Sequence, residues 1–129
     1  MKFNVLIPEL SVSDIKKSKD FYINILGFKL EYERIEDKFA FISLGEAQIM
    51  IEEVNGYWNT DKLEYPFGRG INFQIEVSNI EEIRDRLIRN DVNLFRDITI
   101  SEYECSGELI VQKEFLVQDL DGYLLRFCQ

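Results

Sequence analysis

The feature that most constrains this chain is an internal repeat, in which Val12–Leu30 recurs in degraded form as Val77–Phe95. Three identical residues lie at a constant offset of 65 positions: Val12, Ser13 and Ile15 match Val77, Ser78 and Ile80. Each copy leads from an alternating apolar run into a helix cap, an amphipathic helix and another strand. Such self-similarity indicates two copies of one supersecondary unit, and we expect function to reside in a site that both copies share.

The segments around the repeat extend both halves to the same order of elements, βαβββ. The first half has a strand within Lys2–Leu10, a helix capped by Ser13 and ended by Gly27, and strands at Phe28–Arg34, Phe39–Leu44 and Gln48–Glu53. The second half has a strand at Ile71–Val77, a helix at Asn79–Asn90 capped by Ser78, a strand that Asn93–Phe95 leads into, and strands at Leu109–Gln118 and Tyr123–Phe127. The sequence therefore predicts one α+β domain of two modules (1–56 and 70–129), whose curved mixed sheets enclose a cavity, joined by an aromatic-rich linker at 57–69.

Size and charge limit the classes of partner. The 129 residues match the size of one domain, and the net charge of −9 disfavours binding to nucleic-acid phosphates. That charge suits either solubility or the attraction of a cationic ligand. No apolar run approaches the ~20 residues of a membrane span, and the first residues resemble a strand rather than a signal peptide. We expect a cytoplasmic protein in which Cys105 and Cys128 are reduced, with a disulfide as the alternative.

The absence of histidine excludes much of the chemistry that enzymes commonly use. Without it the chain has no Ser-His-Asp or Cys-His catalysis and no imidazole ligand for a transition metal. Phosphate-binding glycine motifs are also missing. The stretch Asp119–Gly122 resembles the start of a calcium loop, but it lacks the later ligands and is predicted to be a hairpin turn.

Several stretches resemble the glyoxalase/bleomycin resistance group, also called the vicinal oxygen chelate superfamily: Val12–Ser18, Phe21-Tyr22, Leu26–Phe28 and Phe115–Phe127. The last of them is similar to the DPDG-x-L-L-R-F ending of that family, with Leu120 in place of the usual proline. The resemblance covers essentially the whole chain. It implies paired βαβββ modules and a homodimer, with or without exchange of modules between the chains.

Enzymes of that superfamily hold a divalent metal with four side chains, one from each first strand and one from each last strand. Alignment with the family places these positions at Ile7, Glu52, Asn72 and Arg126. One alkyl group, one carboxylate, one amide and one guanidinium do not form a metal site, and the guanidinium repels a dication. The resemblance therefore implies no metal and no cofactor, and it is strongest with the metal-free bleomycin resistance proteins.

Those proteins bind a cationic glycopeptide in a groove at a homodimer interface and leave it chemically unaltered. By this resemblance, the groove residues of the present chain are Phe39, Glu52, Trp58, Asn72 and Arg126. Aromatic rings would stack on the ligand, and the acidic balance of the chain would attract it. Tyr57 and Tyr103 are further aromatic candidates from predicted loops.

Each of these residues also has a structural interpretation. Phe39 alternates with Phe41 and suits a core position, Glu52 and Arg126 suit an ion pair, and Trp58 suits an anchor for the linker. The chain also has Gly107–Val111 where many bleomycin-binding relatives have a tryptophan. Two other functions stay open: a metal-free enzyme with Glu52 as base and Arg126 as oxyanion stabiliser, and a binding module for another metabolite.

Overall fold

The computed structural model describes all residues from Met1 to Gln129 and contains two four-stranded sheets. The strands are β1 (Glu9–Val12), β2 (Lys29–Arg34), β3 (Phe39–Leu44), β4 (Ala47–Glu53), β5 (Asn72–Glu76), β6 (Arg96–Cys105), β7 (Glu108–Gln118) and β8 (Leu124–Cys128). Helix α1 (Ile15–Lys19) continues as a π-helical segment (Asp20–Ile25). A 3-10 turn (Ile35–Asp37) follows β2, and α2 (Ile80–Arg89) is the helix of the second module. None of these helices has the length and apolar character to cross a membrane.

Both sheets have the same topology, which confirms the predicted α+β fold of two βαβββ modules. Their strand orders are β1-β4-β3-β2 and β5-β8-β7-β6. The first strand of each module pairs in parallel with the last, and the other neighbours are antiparallel. One face of each sheet packs on its helix, and the helices and inner faces share a single core of 20 buried residues.

The start of each helix shows the internal repeat in atomic detail. The backbone N–H of Ile15 donates to Glu53 Oε1 at 3.2 Å, and that of Ile80 donates to Gln129 Oε1 at 3.1 Å. The N-caps are Asp14 and Asn79 rather than the predicted Ser13 and Ser78, because each helix begins one residue later than the sequence suggests. Their side chains each accept a hydrogen bond from the backbone N–H three residues further on.

The first strand lies later than predicted. The sequence pattern indicates a strand within Lys2–Leu10, whereas pairing with β4 begins at Pro8, whose carbonyl accepts from the Met50 N–H at 2.9 Å. Proline has no N–H to offer to a ladder, and the preceding residues are held by side chains instead. The Asn4 N–H donates to Gln48 Oε1 at 2.7 Å, and the Phe3 ring lies edge-on against Phe41 with a centroid separation of 5.4 Å.

Polar contacts join the two modules within one chain. The Tyr22 hydroxyl donates to Asp119 Oδ2 at 2.6 Å, and the Ser13 N–H donates to Asp121 Oδ2 at 3.1 Å. From α2, the Arg86 guanidinium donates to the carbonyls of Ile25 and Leu26, at 2.7 and 3.1 Å.

Gly27 allows this last approach of Arg86. It has a φ of +91°, and a Cβ there would lie 2.7 Å from Arg86 Nη2. The helix end that the sequence marks with Gly27 is therefore also a contact between the modules.

Candidate functional site

The face of each sheet turned away from the helices is its open face, and four of the five predicted ligand-binding residues lie on the open faces. Phe39 on β3 is directly opposite Glu52 on β4 in the N-terminal sheet. In the C-terminal sheet, Asn72 begins β5 and Arg126 lies in the centre of β8. The polar side-chain contacts of Glu52, Asn72 and Arg126 all stay within their own module, and no such contact joins the two pairs within one chain.

The N-terminal open face is an aromatic surface. The Tyr32 ring is stacked on Phe41 with centroids 5.2 Å apart, and the Arg34 guanidinium carbon lies 3.9 Å from the centroid of the Phe39 ring. Phe39 is only 3% exposed, although it lies outside the main core cluster. A ligand that stacks on Phe39 would therefore take the place that Arg34 occupies in this structure.

Carboxylates border this aromatic surface. Glu52 accepts a hydrogen bond from Asn55 Nδ2 at 3.2 Å. Glu9 on β1, which sequence reasoning missed, lies on the same face, and burial raises the pKa of its carboxyl group. The charge of Glu52 raises that pKa further, whereas the charge of Arg34 lowers it. The only sequence signal for Glu9 was its alternation with the buried Leu10, and it became informative only once the true bounds of β1 were known.

The C-terminal open face is a hydrogen-bond network centred on Arg126. Its Nη1 donates to Asn72 Oδ1 at 3.1 Å, and its Nη2 donates to Gln74 Oε1 at 2.9 Å and to Glu114 Oε2 at 3.2 Å. The anticipated alternative of an ion pair between Glu52 and Arg126 is therefore wrong within one chain, because Glu114 on the adjacent strand β7 is the carboxylate in reach.

Strand register shows which residues of the two modules correspond. Glu9 is opposite Met50, and Gln74, which lies 65 positions after Glu9, is opposite Arg126. Met50 is thus the structural counterpart of Arg126, whereas the sequence alignment had treated Glu52 as its counterpart. The alignment is therefore wrong by two residues between β4 and β8. Because a shift of two residues keeps a side chain on the same face of a strand, Met50 and Glu52 both lie on the open face.

The four positions that correspond to the superfamily's metal ligands do not fit a divalent metal. Asn72 Oδ1 is already bonded to the Arg126 guanidinium, whose charge repels a dication, and Ile7 offers no donor atom. No group of three or more His, Cys, Asp or Glu side chains is arranged to hold a metal ion. Both cysteines are free thiols, Cys105 exposed and Cys128 buried.

Trp58 lies outside the sheets, in the linker between the modules. It is 59% exposed, and the Tyr57 ring meets it edge-on with centroids 4.6 Å apart. With residues of β1 and β5 it lines a pocket of about 440 Å³, which we call the junction pocket. Its principal side chains are Glu9, Trp58, Leu63, Ile71, Phe73 and Tyr123.

The predicted hairpin turn at Asp119–Gly122 has a further role that the sequence did not reveal. Asp119 is buried, and burial raises its pKa to about 6 against the opposing effect of hydrogen bonds from Tyr22 and from the backbone N–H groups of Asp121 and Tyr123. The turn therefore buries a titratable carboxylate at the joint between the modules.

The sequence comparison identifies the family to which this architecture corresponds. The family model described as the Glyoxalase/Bleomycin resistance protein/Dioxygenase superfamily matches residues 4–127. The chain belongs to this superfamily. A bleomycin resistance protein of Geobacillus stearothermophilus is 30% identical over 132 residues, covering 95% of this chain and 94% of the relative.

Other relatives of this superfamily member have different names. A lactoylglutathione lyase of Neisseria meningitidis serogroup B is 29% identical over 125 residues, covering 93% of this chain and 86% of the relative. The crystal structure of TioX from Micromonospora sp. ML1 superposes with a TM-score of 0.74 at 18% identity and covers 98% of both chains, which supports the fold alone. Membership therefore leaves the ligand to be inferred from the open faces.

Proposed function

We propose that this protein binds and sequesters a small, cationic, aromatic molecule without a metal ion, and that a bleomycin-type antibiotic is the leading candidate. The ligand would lie between the N-terminal open face of one chain and the C-terminal open face of a second chain. Phe39, Glu52, Asn72 and Arg126 would contact it, with Trp58 at the edge of the groove. Sequestration of this kind would give antibiotic resistance without making or breaking a bond.

The observation that carries this proposal is the aromatic surface bordered by carboxylates. Stacked rings on β2 and β3 suit a flat heteroaromatic group, and each such pair contributes roughly 0.5–1.5 kcal/mol beyond the area it buries. Glu9 and Glu52 suit a positive charge on the same ligand, and the net charge of −9 attracts a cation at long range. The bleomycin resistance relative, at 30% identity, supports the choice of drug.

A homodimer is part of the proposal because no side-chain contact joins the two pairs of residues within one chain. Phe39 and Glu52 contact their own sheet, and Asn72 and Arg126 contact theirs. A second chain would bring the aromatic face of one copy opposite the hydrogen-bonding face of the other. Equivalent contacts would then recur at two grooves related by a twofold axis.

The rival enzymatic reading is less well supported by the same contacts. It requires Arg126 to be available to a developing oxyanion, whereas both of its terminal nitrogens already donate to neighbouring side chains. The lactoylglutathione lyase relative is named for an activity, but the donor atoms at the superfamily's metal positions do not fit that chemistry here.

The test is a calorimetric titration of the purified protein with bleomycin in the presence of a chelator. Saturable binding at micromolar or tighter affinity, with one drug per chain, is the expected result. Glu52→Gln should weaken binding about tenfold by removing the carboxylate, whereas the exposed control Glu104→Gln should leave it unchanged. Absence of heat at high drug concentration would overturn the bleomycin assignment, and a thermal-shift screen of other metabolites would then identify the ligand.

A further inference from the structure

The junction pocket lies entirely within one chain and shares only Glu9 and Trp58 with the groove proposed above. It occupies the gap between the edge strand β1 of one sheet and the edge strand β5 of the other, and the linker closes its third side. Its walls are mostly apolar and aromatic: Trp58, Leu63, Ile71, Phe73 and Tyr123. A volume of about 440 Å³ is in the range of sites that bind small molecules.

The inner wall of the junction pocket is fixed by close packing. The Tyr123 hydroxyl donates to the Ser11 carbonyl at 2.9 Å, and the Phe67 ring lies edge-on against Tyr123 with centroids 5.9 Å apart. Gly68 has a φ of +70°, and a Cβ there would lie 2.5 Å from the Tyr123 ring. The linker can therefore lie directly on this ring only because residue 68 is glycine. The wall is preorganised, and Trp58 is left partly exposed at the mouth.

Glu9 is the one charged residue that lines the junction pocket. None of the salt bridges in the structure involves its carboxylate. Burial first and the charge of Glu52 second raise the pKa of this group. Arg34 opposes this rise from the far side of the open face, where its guanidinium is placed over Phe39. A positively charged group bound in the pocket would supply the missing partner.

We propose that the junction pocket is a binding site for a monovalent organic cation, an ammonium group carried on a compact apolar or aromatic body. Glu9 forms the ion pair with the ammonium, the Trp58 ring contacts it through its face, and the apolar walls accept the body. A single carboxylate does not satisfy the six or more oxygen ligands of calcium, and the apolar walls offer nothing to an anion. Each chain carries one such site, whether or not it forms a dimer.

The test uses Trp58 as its reporter, because it is the only tryptophan in the chain. Benzyltrimethylammonium is titrated against the wild-type protein at constant ionic strength while Trp58 emission is recorded. Benzyl alcohol and benzenesulfonate serve as neutral and anionic probes of similar size. We expect saturation by the cation with one site per chain, affinity about tenfold weaker for the alcohol, and no saturation by the sulfonate. The dissociation constant should not depend on protein concentration.

Two matched variants assign the effect to the pocket. Glu9→Gln should weaken the cation's binding about five- to thirtyfold and leave that of benzyl alcohol unchanged, with the wild-type thermal midpoint retained. The exposed control Glu104→Gln should bind like the wild type. Equal affinities for the cation and the alcohol, no saturable change at all, or equal losses in the two variants would each overturn the proposal.

Discussion

The N-terminal and C-terminal modules share one topology, yet corresponding positions on their open faces carry opposite chemistry. Phe39 is opposite Glu52 in the N-terminal sheet, and Glu114 is opposite Cys128 in the C-terminal sheet. The buried ring of Phe39 therefore corresponds to the carboxylate of Glu114. Met50 likewise corresponds to Arg126. The two modules thus share backbone pairing and helix caps, but their open faces differ. The N-terminal open face is the aromatic surface, and the C-terminal open face is the hydrogen-bond network of Arg126.

The largest expected effect on stability comes from removing the Phe41 ring from the aromatic surface. Phe41 is 1% exposed and contacts both Phe3 and Tyr32, so Phe41→Ala should lower the free energy of unfolding by about 3–5 kcal/mol. Tyr103, on the C-terminal hairpin, is 45% exposed, and Tyr103→Ala should cost no more than about 0.5 kcal/mol. Urea unfolding of both variants measures the difference, and similar losses would contradict the contrast between the modules.

The joint between the modules predicts an unusual dependence of stability on pH. Asp119 has a pKa raised to about 6 from a usual value of 3.8, so the folded state binds its proton first. The free energy of unfolding should therefore increase as the pH falls through 6, by up to about 3 kcal/mol near pH 4. Carboxylates whose pKa values are lowered, such as Asp97, act in the opposite direction as the pH approaches their usual value of 3.8, so the gain from Asp119 is measured most cleanly between about pH 7 and pH 5.

Denaturant melts at a series of pH values measure this effect. Asp119→Asn keeps the size of the side chain and removes the titration, so its stability should be nearly constant between about pH 7 and pH 5. If the wild type loses stability as the pH falls over that interval, or if both proteins change alike, the burial of Asp119 does not determine how stability depends on pH.

The hydrogen-bond network on the C-terminal open face can be converted to the chemistry of its counterpart. Arg126→Met copies Met50 and leaves Glu114, which is 17% exposed, without its cation. We expect a loss of about 1–3 kcal/mol, toward the lower end because water reaches part of the network. Met50→Leu is the matched control and should cost less than about 1.5 kcal/mol. Thermal unfolding at low and high salt should show that only the Arg126 variant changes the salt dependence.

The helix caps test whether the two modules are energetic as well as geometric copies. Asp14→Ala and Asn79→Ala each remove one hydrogen bond to a backbone N–H of the first turn. Each should lower the free energy of unfolding by about 1 kcal/mol. Chemical denaturation compares them directly, and a difference of more than about 1 kcal/mol between the variants would show that the repeat has lost its energetic symmetry.

The fold followed from the sequence because the repeat and the alternation of apolar residues are local patterns. The errors arose where tertiary contacts decide the outcome. The predicted first strand failed because Pro8 cannot donate to the ladder and Asn4 finds Gln48 instead. The predicted caps were one residue early, since Ser, Asp and Asn are all good N-caps and only the helix start distinguishes them.

The candidate site was less predictable than the fold. The side chains of Phe39, Glu52, Asn72 and Arg126 do lie on the open faces, as their strand periods suggest. The partner of Arg126 could not be read from the sequence, because Glu114 meets it only through the register of β7 and β8. The position of Glu9 on the open face was not predicted, because the first strand was placed too early in the sequence.

The most direct test of the central claim is to map the ligand-binding surface by NMR. Bleomycin added to the isotopically labelled, chelator-treated protein should shift backbone amide signals on β3 and β4 together with those on β5 and β8. Such a result would show that the N-terminal and C-terminal open faces bind the ligand jointly. Shifts confined to one module, or no shifts at saturating drug, would contradict a groove built from both open faces.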